Sequence, residues 1–169
     1  IEDSVILAFY ENNKQHFILD EAILRGVQLV VPVGTPNIDK LKGSVKEPDN
    51  EENIEFVEKY AYQYATGYEL FLEDWVPISR VAFYMPISTD DLAKQIRQKR
   101  QIELQDTMNV YLLQVVDVCT AGEYKPLEYV RSEIEEMILS QRQVDFIESV
   151  RKDLYNKALE QRKIKRYEK

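Results

Sequence analysis

From Pro126 onward, Leu127, Val130, Ile134, Met137, Val144, Ile147, Leu154 and Ala158 recur at spacings built from threes and fours, with Gln141 as the polar interruption. That period places them on one stripe of a helix. Pro126 stands where a helix begins. The run exceeds eight turns, against about three for an average globular helix. An apolar stripe of that length has to be covered along its length, and the body preceding it is too small to do so. Its cover is either a second chain or a domain N-terminal to Ile1.

The remaining composition narrows the class. A chain of 169 residues holds one domain or two small ones, and 44% hydrophobic residues supply a real core. Five glycines and six prolines are too few for a loop-rich β sandwich, while eleven tyrosines and six phenylalanines suit half-buried faces. A net charge of −8 excludes a nucleic-acid-binding module as a whole. The charge is uneven: residues 150–169 carry eight Lys or Arg against three acids. Such a tail fits a solvated helix end or pairing with the acidic body better than phosphate or lipid. No apolar run approaches the roughly 18 residues of a membrane span. The chain opens on Ile1, as a mature product or an excised fragment would, so a leader or lipid anchor would have preceded it.

Ahead of the long helix the elements follow from local signals. "DSVILAFYENNKQHF" is a short helix with Asp3 or Ser4 as cap and Val5, Ile6, Phe9 and Tyr10 on its apolar side. "EAILRGVQLVVP" is a buried strand closed by Pro32. "TPNIDKLKG" is a helical turn with Thr35 as cap, Pro36 first in the helix and Gly43 as stop. A second helix follows, with Ile54, Val57, Ala61 and Tyr64 on one face and Gly67 ending it. Residues 68–86 have no decisive period. "STDDLAKQIRQK" is a helix capped by Ser88 and Asp91. A β-hairpin then alternates Ile102 and Leu104, turns at Asp106-Thr107 and returns through residues 109–118.

Those elements in that order, with "FYENNKQHF", "AILRGVQLVVP", "FVEKYAYQYA", Trp75 and "MNVYLLQVVDV", resemble periplasmic foldases of the SurA/PrsA type. In that family a parvulin-like peptidyl-prolyl isomerase domain is embedded in a helical chaperone domain. The resemblance implies an α+β fold: a small antiparallel sheet with flanking helices, then a long C-terminal helix. It implies residues 1–20 as a leading helix of a split chaperone domain, 21–120 as the parvulin-like domain and 121–169 as the returning chaperone helix. It also implies a Gram-negative cell envelope, with or without a lipid anchor upstream, and work in outer-membrane biogenesis.

The departures are as informative. An active parvulin site carries one histidine on the first strand and one on the closing strand, forming a polar network behind a proline pocket. That network acts on an amide whose uncatalysed rotation barrier is about 18–20 kcal/mol. Here the first strand reads Leu24-Arg25-Gly26-Val27-Gln28-Leu29, and Tyr111 lies near the position of the closing-strand histidine. The chain's one histidine, His16, belongs to the end of the first helix. Cys119, the sole cysteine, follows the closing strand and has no base in sequence reach. "EPDNEE" lacks the central glycine of a calcium loop and reads as a solvated turn, and no glycine-rich phosphate loop is present. No cofactor or metal is expected.

The sequence thus points to a foldase-like protein that binds unfolded or partly folded polypeptides, with little or no isomerase activity. The aromatic residues Phe71, Trp75, Phe83, Tyr84 and Tyr111 are its candidate peptide groove; ordinary core packing is the competing reading for the same rings. Two alternatives stand beside it. One is an active isomerase with a non-standard site around Tyr111 and Cys119. The other is a non-enzymatic interaction module, including a homodimer through the long helix.

Overall fold

The computed structural model describes residues 1–167, with side chains through Arg162. Of the basic tail, Lys163, Lys165 and Arg166 lie beyond the described side chains and Lys169 lies outside the described residues. The fold is mixed α+β. Residues Ile1–His16 and Pro126–Lys169 form one compact unit, and Phe17–Lys125 form another.

The helical unit contains α1 (Asp3–Asn12), a 3-10 turn (Lys14–His16) and the long helix α6 (Leu127–Tyr167). α1 packs on the first turns of α6. Ile6 and Tyr10 are buried on one side, and Val130, Ile134 and Ile138 on the other. The expected cap at Asp3 or Ser4 is not used: the N-cap is Glu2, without a side-chain bond. Asp3 instead pairs with Arg131 of α6, an ion pair that ties the two helices together. His16 is exposed at the end of its turn, as its position past a helix C-terminus suggests.

The sheet unit is built around β1 (Ile23–Pro32), the buried strand read from its apolar run. β1 pairs on one edge with β2 (Gly67–Pro77) and on the other with β4 (Asn109–Cys119), which in turn pairs with β3 (Gln101–Gln105). The order is β2-β1-β4-β3 and every pairing is antiparallel. Helices α2 (Ile38–Val45) and α3 (Glu51–Tyr64) cover one face, over Val27, Leu29, Val31, Val110 and Leu112. Helices α4 (Ile78–Phe83) and α5 (Thr89–Gln98) cover the other, over Leu24, Phe71, Ile102, Leu113 and Val115.

Residues 17–20 and 121–125, which the sequence assigns to the helical segments, belong with the sheet. The Leu19 N–H donates to the Glu123 carbonyl, the Lys125 N–H donates to the Phe17 carbonyl, and Phe17 and Leu19 are buried.

Three helix signals act differently from their sequence reading. Thr35 does not cap α2; its hydroxyl donates to the Pro32 carbonyl, and Asn37, in the left-handed region at φ 61°, precedes the first helical residue. Gly43 lies inside α2 and does not end it. A single glycine costs a helix only about 1 kcal/mol, and here it is opposed by the burial of Leu41 and Val45. α3 ends at Tyr64, so Gly67 opens β2. The "EPDNEE" segment serves α3 as its cap, with Asn50 Oδ1 accepting from the Glu52 and Asn53 N–H groups.

The unreadable stretch resolves into β2 followed by α4. Its pairing with β1 jumps from Leu24↔Val76 to Gly26↔Phe71, so Leu72 to Trp75 bulge out opposite Arg25. A bulge of that size breaks the period of two on which a strand is recognised.

Two substitutions test this architecture. A Cβ at Gly26 would fall 2.0 Å from the Gln114 carbonyl oxygen of β4, so Gly26→Ala should lower stability by about 3 kcal/mol in urea unfolding. Ser88 Oγ accepts the Asp91 N–H at 3.1 Å to cap α5. Ser88→Ala should therefore cost about 1 kcal/mol in the same measurement.

Candidate functional site

On the face covered by α4, the sheet leaves an open cavity of about 440 Å³. β1 contributes Gln28 and Val30, β2 contributes Gly67, Tyr68 and Glu69, and α4 with the residue after it contributes Arg80 and Tyr84. The strand register explains the grouping. Gln28 sits opposite Glu69 and Val30 opposite Gly67, so the two strands present adjacent pairs to one concavity.

Gln28 is the anchor of the cavity. It is buried, and its Nε2 donates to the Val81 carbonyl of α4 at 3.0 Å. A buried amide without a partner would cost about 1–3 kcal/mol, so this bond holds the helix at a fixed height over the strand. At the rim, Arg80 pairs with Glu69 at 2.8 Å. Tyr84 is 54% exposed and Phe83 is 81% exposed, and their rings meet edge to face at 5.2 Å between centroids. An exposed aromatic pair beside a concave site offers apolar area together with a polar hydroxyl. Tyr68, opposite Leu29, turns its side chain to the α3 face of the sheet, where burial, and then the nearby Glu58 carboxylate, raise its phenol above its ordinary value.

The five aromatic residues picked out in the sequence are not brought to one place. Tyr84 lines the cavity and Phe83 packs against it. Phe71 is 2% exposed and belongs to the core under α4 and α5. Trp75, in the β2 bulge, lies 4.4 Å under the Arg25 guanidinium, which also pairs with Asp117 at 2.6 Å. Tyr111 donates its hydroxyl to Asp106 Oδ2 at 2.7 Å in the hairpin turn. That bond raises the phenol, while the Asn109 N–H, the Tyr111 hydroxyl and the Met108 N–H lower the Asp106 carboxyl.

The residues missed from sequence are Gln28, Glu69 and Arg80. Gln28 carried a signal: one amide within the apolar run from Val27 to Val31 needs a buried partner. Glu69 and Arg80 carried none, since they meet only through the β2-α4 corner.

What the arrangement can do chemically is bounded by its side chains. The side chains facing the cavity are an amide, an ion pair and the Tyr84 phenol, with no imidazole and no thiol. A joint site of Tyr111 and Cys119 fails on distance, because eight residues of one strand separate them by roughly 26 Å. Among the described residues no cluster of three or more His, Cys, Asp or Glu side chains is placed to hold a metal ion. Also among them, no helix is long and apolar enough to cross a membrane.

No family model and no curated protein matches the chain. Among solved structures the chain is similar to one from a study of PEB4, a virulence factor, and Cj1289, a periplasmic protein, described as two structurally related SurA-like chaperones of Campylobacter jejuni. The likeness covers 92% of this chain at 16% identity with a TM-score of 0.35. This chain spans 62% of the length of that one. At that TM-score the likeness carries no weight for fold or activity.

Proposed function

We propose that this chain is a chaperone-type protein of the cell envelope that binds extended, apolar-rich segments of unfolded polypeptides and does so without covalent or proton-transfer chemistry. The observation that carries the reading is the cavity between β1, β2 and α4. It is open, the exposed Tyr84 on its lining meets the exposed Phe83 edge to face, Gln28 already donates to the Val81 carbonyl, and Glu69 is paired with Arg80.

A site of this kind favours binding over catalysis. Isomerisation needs groups that stabilise a twisted amide better than a planar one. Gln28 faces the cavity from the first strand, but its amide nitrogen donates to a main-chain carbonyl of α4. Apolar contact with exposed rings needs no titrating group and tolerates many sequences, which suits recognition of varied clients. The parvulin-like assignment of the sheet unit and the chaperone-domain assignment of the helical unit belong to the same proposal. So does the envelope location, which rests on the SurA/PrsA resemblance.

The double substitution Phe83→Ser with Tyr84→Ser tests the proposal. Both side chains are exposed, so the fold should persist by circular dichroism. Binding of a fluorescent unfolded peptide should weaken by about tenfold, which is about 1.4 kcal/mol, and suppression of client aggregation should fall in parallel. Unchanged binding and unchanged suppression in this variant would remove the cavity from the account.

A further inference from the structure

We propose that the distal half of α6 is covered by a second copy of this chain, running antiparallel to it. Beyond Ile138 the described residues bury none of the helix's apolar side chains. Val144, Phe146, Ile147, Val150, Leu154 and Tyr155 all stand exposed. The exposed stretch from residue 139 to 162 is about 36 Å long at 1.5 Å per residue. That is long enough for a helix-helix seam.

The charge along α6 selects the occupant and its direction. At the start of the exposed stretch, residues 139–149 hold two acids (Asp145, Glu148) against one base (Arg142), and Glu133 and Glu136 stand exposed in the turns just before it. Residues 150–162 hold four bases (Arg151, Lys152, Lys157, Arg162) against two acids (Asp153, Glu160). A helix polarised in this way is complementary to its own reverse. Antiparallel pairing sets the acidic half of each copy beside the basic half of the other, and it opposes the two helix dipoles favourably. Parallel pairing would align like charge with like. The contact has two-fold symmetry, so one patch serves both copies.

The apolar residues also allow a close seam. Val144, Ile147, Leu154 and Ala158 advance by three, seven and four, which is heptad spacing. Arg151 and Gln161 interrupt the stripe with polar side chains, which in a coiled coil restrict register at a cost in stability.

Sedimentation equilibrium of the whole chain tests the association, comparing wild type with Ile147→Asp, Leu154→Asp. Both side chains are exposed, so the variant should keep its circular dichroism while its association weakens by at least about tenfold. Carbodiimide cross-linking of mixed light and heavy copies tests direction. The expected intermolecular products join carboxylates at 133–148 to lysines at 152–157. A wild-type chain that stays monomeric as its concentration is raised would overturn the proposal, whether the face then takes a client, a membrane or another helix. So would a dimer unaffected by the double substitution, or one in which only like ends cross-link.

Discussion

The sheet unit depends on one close approach: Gly26 of β1 against the Gln114 carbonyl of β4, where a Cβ would lie 2.0 Å from the oxygen. At this point β1 slips register against both of its neighbours, from Leu24 to Gly26 against β2 and from Arg25 to Gly26 against β4. The slip lets one strand serve two differently curved partners. It sends Leu24 into the core under α4 and α5, and Val27, Leu29 and Val31 into the core under α2 and α3. It also brings Gln28 beneath the Val81 carbonyl. A strand buried on both faces and paired on both edges leaves little freedom to the rest of the unit.

Much of this was written in local patterns. β1 announced itself by its Val/Ile/Leu run, α5 by Ser88 and the hairpin by Asp106-Thr107. Each is marked by a pattern within a few residues of the chain. β2 was illegible because its defining feature is a bulge opposite Arg25, whose guanidinium stacks on Trp75 of the bulge, a contact the local sequence does not encode. The caps at Glu2 and Asn37 were misread for a related reason. A side chain suited to capping was present in each case, and a tertiary contact or a different turn engaged it instead.

The candidate site divides in the same way. Exposed aromatics can be guessed from composition, yet of the five chosen only Tyr84 lines the cavity, with Phe83 against its ring. Phe71 was drawn into the core by its register opposite Gly26, Trp75 into a cation-π stack and Tyr111 into a turn. Residues that meet across a strand-helix corner, such as Glu69 and Arg80, depend on the fold being formed first. The long helix gives the converse lesson. Its apolar period was plain in the sequence, but only its first turns find cover within the described residues, on Ile6 and Tyr10 of α1.

The central claim is that the cavity between β1, β2 and α4 binds polypeptide and performs no isomerisation. The most direct measurement is nuclear magnetic resonance of the labelled chain titrated with a proline-containing unfolded peptide, reading protein shifts and peptide cis-trans exchange together. The account predicts shifts centred on Gln28, Val30, Gly67 to Glu69, Arg80 and Tyr84, with the peptide's exchange rate unchanged. Accelerated exchange, or shifts that leave this cavity untouched, would contradict it.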